Sequence, residues 1–229
     1  MSTEQLPFKF EFRPALAMDD FVVAPSNREA IAWLDRWAEW PAPALSIYGP
    51  PGCGKTHLAH VFGASTGAVL LTPDMLDEAD PPILLHGSRF CVLADAGRAA
   101  EQRDRAFLHL YNVVSELRGR LLLTSRRPPA RWSVALADLR SRVTALPAVA
   151  MAEPDDVLIA AVLAKMFSDR QLRVAPGVIE YLVTRMERSF AAARRAVAVI
   201  DDAAMAARRN ITVPFVREVL RSHHLDKAN

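Results

Sequence analysis

One segment, residues 49–56, constrains this chain more than any other part of its sequence. It reads GPPGCGKT and fits the pattern G-x-x-x-x-G-K-[ST] without a gap. Such a pattern can arise by chance, so a buried strand should enter it and a helix should leave it. Residues 44–48 form a compact β-prone run, and from Thr56 onward the apolar residues follow helical spacing. The context therefore predicts a loop that holds phosphate groups.

The residue types in this segment suit that chemistry. Its glycines let backbone N–H groups approach phosphate oxygens at the positive end of the following helix. Lys55 supplies a cation for the β- and γ-phosphates, and the Thr56 hydroxyl suits a Mg²⁺ ligand. The candidate nucleotide-binding residues of the segment are Gly49, Pro50, Pro51, Gly52, Cys53, Gly54, Lys55, Thr56 and His57.

Four apolar runs predict parallel strands that are covered on both faces. They lie at residues 44–48, 69–71, 90–95 and 120–125. Asp95 closes the third run, at the carboxyl edge of the sheet where ligands bind, and is therefore a second candidate Mg²⁺ ligand. A strand-end aspartate with no ligand is the alternative interpretation.

Helical patterns surround these strands and then replace them. A surface helix with a turn is expected over residues 72–82 and a helix over residues 99–118. From Glu153 on only helical patterns remain, and they predict four helices. The first begins within residues 154–156 and reaches about Asp169, the second begins at Pro176 and ends near Glu187, the third runs from Ser189 or Phe190 to Arg208, and the fourth runs from Val213 to Arg221. The chain is thus predicted to have an extended arm at 1–18, an α/β domain with a parallel sheet at 19–151 and a small all-α domain at 152–229.

Composition excludes several classes of protein. No apolar run approaches the roughly 18 residues of a membrane span, and the N-terminus lacks a signal pattern, so we expect a cytoplasmic protein without a membrane partner. Two cysteines provide neither a disulfide framework nor metal-ligand spacing. A formal net charge of +2 is too small to indicate nucleic-acid binding.

The predicted arm contains the sequence QLPFKF at residues 5–10. Spaced apolar side chains in an extended segment suit docking into the pockets of a partner. The segment resembles the motif with which bacterial replication proteins bind the sliding clamp, the β subunit of DNA polymerase III. The candidate clamp-binding residues are Gln5, Leu6, Phe8 and Phe10. Packing of the arm on its own domain is the alternative.

A family resemblance follows from the order of several motifs. A Phe-Val-Val segment, a Ser-Asn helix cap, a helix and the phosphate loop resemble the opening of the AAA+ domain of the bacterial replication initiator DnaA. The resemblance implies an AAA+ P-loop NTPase with a helical lid and bound ADP or ATP with Mg²⁺. It also implies that Val22 and Val23 cover the adenine, although plain core packing explains these valines as well.

The resemblance extends to three further site elements. The end of the fourth strand resembles the family's sensor 1, so Thr124 and Ser125 are expected near the γ-phosphate. Leu-x-Ser-Arg resembles the box that holds an arginine finger, which maps to Arg142; a surface arginine paired with an acidic neighbour is the alternative. Ala191 stands where a sensor 2 arginine is usual, so Arg194, one helical turn later, is the candidate, with a solvated Arg194–Arg195 pair as the alternative.

Two positions depart from the family pattern. Ala96 follows Asp95 where vigorous ATPases carry a second carboxylate that orients the attacking water, and Arg126 stands where the family has an aspartate. Because alanine cannot orient water, we expect nucleotide binding without efficient autonomous turnover.

The sequence ends without a basic recognition helix, so sequence-specific DNA binding is not expected. With the clamp motif, this arrangement resembles the Hda proteins, regulatory inactivators of DnaA. The resemblance implies DnaA and the sliding clamp as partners and ATP hydrolysis on DnaA stimulated by Arg142. A helicase-loader type ATPase, a DnaA-related recruitment module and, less favoured, a kinase remain alternatives, and homodimer formation is left open.

Overall fold

The computed structural model describes residues 23–223 and residue 225. The predicted arm at residues 1–18, with its candidate clamp-binding residues Gln5, Leu6, Phe8 and Phe10, lies outside these residues. So does Val22. The structure therefore bears on the predicted phosphate loop, the sheet and the helical C-terminal part.

A five-stranded parallel sheet forms the centre of the α/β part. In chain order its strands are β1 (Ala44–Tyr48), β2 (Val69–Leu71), β3 (Phe90–Leu93), β4 (Arg120–Ser125) and β5 (Ala148–Ala150). Their spatial order is β2-β3-β4-β1-β5, so β1 lies between β4 and β5. The expected parallel sheet is confirmed, and spatial neighbours are not always chain neighbours because helices cross over between the strands.

The helices of the described residues surround this sheet and then form a bundle. In chain order they are α1 (Arg28–Asp35), α2 (Lys55–Thr66), α3 (Pro81–Leu84), α4 (Ala96–Gln102), α5 (Asp104–Glu116), α6 (Ala137–Thr144), α7 (Asp156–Asp169), α8 (Val178–Arg185), α9 (Phe190–Ala207) and α10 (Val213–Ser222). Short 3₁₀ helices lie at Trp37–Glu39, Asp74–Asp77 and Pro129–Arg131. No helix of residues 23–223 is long and apolar enough to span a bilayer.

The central strands β1, β3 and β4 are mostly apolar and buried because both faces of the sheet are covered there. Leu121 and Leu123 of β4 pack in the core that contains Phe107 and Leu110 of α5. Leu122, between them, points to the opposite face and packs in the core that contains Phe62 of α2. This alternation follows from the two-residue repeat of a strand.

The register of the sheet positions the phosphate loop. Ile47 and Tyr48 at the end of β1 lie opposite Thr124 and Ser125 of β4. The chain then enters the loop, where the Gly49 N–H donates to the Ser125 carbonyl at 3.2 Å. The loop therefore starts at the carboxyl edge of the sheet, beside the end of β4.

The prediction of a single helix over residues 99–118 is wrong. The structure has two helices there, α4 and α5, which are separated by Arg103 with φ −140° and ψ 42°. The Arg103 guanidinium contacts the Asp77 carboxylate at 2.6 Å and the Asp74 carboxylate at 2.9 Å. These carboxylates belong to the preceding 3₁₀ helix, so a contact distant in sequence accompanies the break.

Strand β5 has no counterpart in the sequence prediction. It is three residues long, and only Val149, its middle residue, is buried. Its partner is β1, with Ile47 opposite Val149. So short an edge strand carries too few apolar residues to produce a recognisable pattern.

The C-terminal helices form a separate apolar core. Leu163 and Phe167 of α7 pack there with Ile200 of α9 and Leu220 of α10. Two of these helices begin at side-chain caps. The Asp155 carboxylate accepts from the Leu158 N–H at 2.7 Å, and the Ser189 hydroxyl accepts from the Ala192 N–H at 3.1 Å.

We predict that Phe62→Ala lowers the free energy of unfolding by about 3–5 kcal/mol, because removing a large buried side chain leaves a cavity. Phe62 is fully buried and stacks on Trp40 with ring centroids 5.7 Å apart. Urea denaturation measures the change. Ile83→Ala is the control, since Ile83 is 63% exposed and its loss should change stability by no more than about 0.5 kcal/mol. Equal losses in the two variants would contradict the packing described here.

Candidate functional site

The phosphate loop connects β1 to α2 and depends on two close approaches by other parts of the chain. At Gly49 a Cβ atom would collide with the Met151 carbonyl oxygen. At Gly52, where φ is +77°, a Cβ atom would lie 2.6 Å from the Cβ of Ser189, the residue that caps α9. Any larger residue at these positions would push the loop away from the chain after β5 or from the helical bundle.

Lys55, the first residue of α2, lies over the loop. Its ammonium group donates to the carbonyl oxygens of Gly49 and Pro50, each at 2.7 Å, and lies 3.5 Å from the Cys53 sulfur. The next residue, Thr56, is exposed at the start of the helix. The loop thus combines a cation, a hydroxyl group and the N-terminus of a 12-residue helix, a set that suits an anionic ligand.

A cavity of about 360 Å³ lies between the loop and the helical bundle. Six of its lining residues were predicted from the phosphate-loop pattern, namely Gly52, Cys53, Gly54, Lys55, Thr56 and His57. Arg194 of α9 lines the same cavity, as does Ala191 one turn before it. The structure therefore brings the candidate sensor 2 arginine and the loop together, although they are far apart in sequence.

Sequence reasoning missed the other residues that line this cavity. They are Asn27 near α1, Leu158, Val162, Lys165, Met166 and Asp169 of α7, and Phe190 of α9. The α7 residues recur at helical spacing along one side of that helix, but the same spacing is typical of a core-facing stripe. No local signal distinguishes a face that covers a ligand from one that covers another helix.

The wall of the cavity changes character along α7. Leu158, Val162 and Met166 provide apolar surface, whereas Lys165 and Asp169 are charged and lie 3.3 Å apart at their closest N and O atoms. With Lys55 and Arg194 also lining it, the cavity has an apolar part and a predominantly cationic part. This division suits a ligand that carries both a flat apolar group and phosphates.

Asp95 lies in a second cavity, of about 280 Å³, with Ser125, Arg98 and Arg126. Strand β3 ends at Leu93, so Asp95 is not a strand residue as expected; it precedes α4 in the left-handed conformation, with φ 50°. Its carboxylate lies 3.5 Å from the Arg98 guanidinium. The two predicted Mg²⁺ ligands therefore line different cavities: Thr56 lines the first cavity, and Asp95 lines the second, where it faces Arg98.

Arg98 also neutralises a second carboxylate, that of Asp74. The two side chains approach to 2.7 Å. Hydrogen bonding to Arg98 lowers the pKa of the Asp74 carboxyl, which stays ionised at neutral pH. Arg98 thus links the 3₁₀ helix before α3 to the end of β3.

The two predicted sensor 1 residues end β4 and are buried. Thr124 lies in the ladder opposite Ile47 of β1. The Ser125 hydroxyl donates to the Arg127 carbonyl at 2.7 Å, so it is committed to its own loop. Val23, one of the two valines expected to cover an adenine, is half-buried and packs against the core that contains residues of α1.

Arg142 lines neither cavity. It lies on α6 with its side chain 39% exposed, and its Nε donates to the Asp138 carboxylate at 3.0 Å. The alternative interpretation of this residue, a surface arginine paired with an acidic neighbour, therefore describes its contacts within the chain. The exposed part of the Arg142 side chain is accessible to another molecule.

Comparison with known proteins shows what these features are similar to. Residues 156–220 match the family model described as Hda, lid domain, which covers nearly all of α7 to α10. Domain III of the replication initiation protein DnaA from Thermotoga maritima has the same fold: the TM-score is 0.77 at 16% identity, over 95% of this chain and 99% of that one. The C-terminal helices are thus similar to the Hda lid domain, and the chain has the AAA+ fold of DnaA domain III.

Longer AAA+ structures have the same architecture. AMPPCP-bound DnaA from Aquifex aeolicus matches with a TM-score of 0.64 at 20% identity, over 85% of this chain and 66% of that one. A point mutant of RuvB from Thermotoga maritima matches with a TM-score of 0.68 at 15% identity, over 88% of this chain and 69% of that one. At these identities the matches establish the AAA+ fold.

We predict that Arg194→Ala weakens ATP binding about tenfold, because a charge-assisted hydrogen bond to phosphate contributes about 1.5–3 kcal/mol. Arg195→Ala is the matched control. Arg195 is 61% exposed, pairs with Glu187 at 3.9 Å and does not line the cavity. Calorimetric titration of both variants and of Lys55→Ala with ATP measures the effects. Equal affinities for the Arg194 and Arg195 variants would contradict a phosphate contact by Arg194.

Proposed function

We propose that this protein binds an adenine nucleotide in the cavity between the phosphate loop and the helical lid. Lys55 and Arg194 would bind the phosphates, and the apolar side chains of α7 would cover the base. Bound AMPPCP in the DnaA of Aquifex aeolicus supports this proposal. ADP and ATP both fit the proposed chemistry, since the cationic part of the cavity includes the loop and Arg194.

The residues present also fit a Mg²⁺ ion bound with the nucleotide. Thr56 would supply an oxygen ligand beside the phosphates, and a bound Mg²⁺ would neutralise part of their charge. Asp95 would add negative charge from the neighbouring cavity, where Arg98 partly offsets it. Thr124 and Ser125 would affect the γ-phosphate indirectly, by fixing the end of β4, because both side chains are buried.

Autonomous ATP hydrolysis is expected to be weak. Ala96, where a water-orienting carboxylate is usual, is fully buried at the start of α4. Arg126, which lines the second cavity with Asp95, carries the opposite charge to the aspartate of the family pattern. The site is therefore better suited to holding a nucleotide than to hydrolysing it.

We propose further that the protein regulates replication initiation by acting on DnaA. The observation that carries this proposal is the placement of Arg142, which lies on the surface and outside the protein's own nucleotide cavity. A guanidinium so placed can meet the γ-phosphate of ATP on a neighbouring AAA+ subunit, where an arginine finger accelerates hydrolysis. The match to the Hda lid family supports DnaA as the source of that nucleotide.

Docking on the sliding clamp completes the proposal and rests on sequence alone. Gln5, Leu6, Phe8 and Phe10 would hold the protein on the clamp, raising its local concentration near replicating DNA in the cytoplasm. The protein would then meet DnaA as a monomer or as a homodimer. Conversion of DnaA to its ADP form would suppress a second initiation.

The experiment that tests this function measures hydrolysis of DnaA-bound ATP in the presence of clamp loaded on DNA. We expect Arg142→Ala to reduce the stimulated rate by a factor on the order of 10³, because a missing arginine finger leaves the transition-state charge uncompensated. Arg140→Ala, an exposed arginine on the same helix, is the matched control and should retain the stimulation.

Three outcomes would contradict the proposal. Full stimulation by the Arg142 variant would favour a recruitment module over an ATPase-activating partner. Rapid ATP turnover by the isolated protein would favour a motor of the helicase-loader type. Phosphate transfer from ATP to a small molecule in the absence of DnaA would indicate a kinase.

A further inference from the structure

The Arg142 guanidinium is held in place by two contacts within the chain. Along α6, its Nε donates to the Asp138 carboxylate, one helical turn earlier, at 3.0 Å. Against α5, its central carbon lies 5.5 Å from the centroid of the Tyr111 ring. The first contact orients one edge of the planar group, and the second places the group over the Tyr111 ring.

Tyr111 provides a buried and neutral ring for the guanidinium to pack on. Its side chain is only 7% exposed, and it packs in the same core as Leu139 and Val143 of α6. Burial raises the pKa of the Tyr111 phenol, although the charge of Arg142 lowers it in part, so the ring is uncharged at neutral pH. A cation over a neutral aromatic ring is attracted to the face of that ring.

The same two contacts leave the outer edge of the guanidinium available. Neither Nη1 nor Nη2 has a hydrogen-bond partner within residues 23–223, whereas Nε is bound to Asp138. These two nitrogens form one of the edges with which arginine binds two oxygens of a phosphate at once. The arrangement thus leaves a two-pronged donor without a partner among the described residues, on a side chain that is 39% exposed.

The charge of Asp138 does not cancel this donor. Its side chain is 54% exposed, as the Arg142 side chain is 39% exposed, so water screens the pair. What the carboxylate provides is direction: it limits the torsions of a long side chain that would otherwise sample many rotamers in solution. A donor fixed before the complex forms needs no ordering when the phosphate arrives.

We propose that Tyr111 and Asp138 are positioning residues, which hold Arg142 ready to bind the terminal phosphate of a nucleoside triphosphate on a partner AAA+ subunit. This inference rests on the proposed function, since it assumes that Arg142 acts on another molecule. It adds that the site for the foreign phosphate is built by α5 and α6 together. Neither positioning residue needs to contact the nucleotide.

The test uses the full-length protein with DnaA and clamp loaded on DNA, and compares Asp138→Ala and Tyr111→Leu with the unchanged protein. We expect each variant to lower the maximal rate of hydrolysis of DnaA-bound ATP about tenfold. The concentration that gives half-maximal stimulation should stay within about twofold, because binding to DnaA is not altered. Tyr111→Phe, the conservative variant, should restore the rate, since the ring is kept.

A double variant identifies the residue through which these two act. Adding Asp138→Ala to Arg142→Ala should produce no further loss if Asp138 works only by orienting Arg142. Asp138 is exposed, so its substitution leaves the core intact and carries the test even if Tyr111→Leu fails to fold. Thermal unfolding of each variant distinguishes a folded variant with a slower rate from a variant that has lost its fold.

Distinct results overturn the inference and the function beneath it. If Arg142→Ala abolishes stimulation while Asp138→Ala and Tyr111→Leu keep the full maximal rate, the positioning role is wrong and the finger role stands. A change in half-maximal concentration alone would also overturn the positioning role, by indicating a docking contact. Unchanged stimulation by Arg142→Ala would remove the finger role itself.

Discussion

The close packing of the phosphate loop against the start of α9 is the contact on which the candidate site depends. The Phe190 N–H points to the Gly52 carbonyl at 3.4 Å, and a Cβ atom at Gly54 would lie 3.0 Å from the Phe190 ring. The loop is the end of a strand in the sheet, and α9 belongs to the helical lid. Because these two parts meet at glycines, they enclose a cavity, and any change in their angle changes the volume available to a ligand.

This contact also explains how the chemistry is divided over the surface. Cations from both parts, Lys55 and Arg194, face the first cavity. Asp95, the predicted metal ligand, lies in the adjacent cavity beside Arg98 and Arg126. Arg142 lies on a third element, α6, with its side chain 39% exposed. This division supports the proposal that the protein binds one nucleotide within its own fold and uses Arg142 on another molecule.

Much of the fold was predictable because its signals are local. A strand covered on both faces is mostly apolar, and apolar runs identified β1 to β4. Helical spacing indicated the C-terminal helices, and the structure adds that Asp155 and Ser189 cap two of them. The break at Arg103 and the strand β5 escaped prediction for the opposite reason. The first accompanies carboxylates that lie 26 and 29 residues earlier in the chain, and the second is an edge strand with one buried side chain.

The sequence by itself was enough to recognise the phosphate-loop pattern, since its glycines, lysine and threonine lie at fixed spacing within eight consecutive residues, 49–56. It also supports the prediction that Ala96 and Arg126 make hydrolysis inefficient, because those positions directly follow strand-forming runs. Only the tertiary structure decided which face of α7 lines the cavity and that Tyr111 and Asp138 hold Arg142. The physical reason is that a helical repeat specifies which residues share a face, whereas the element that this face meets depends on how the whole chain packs.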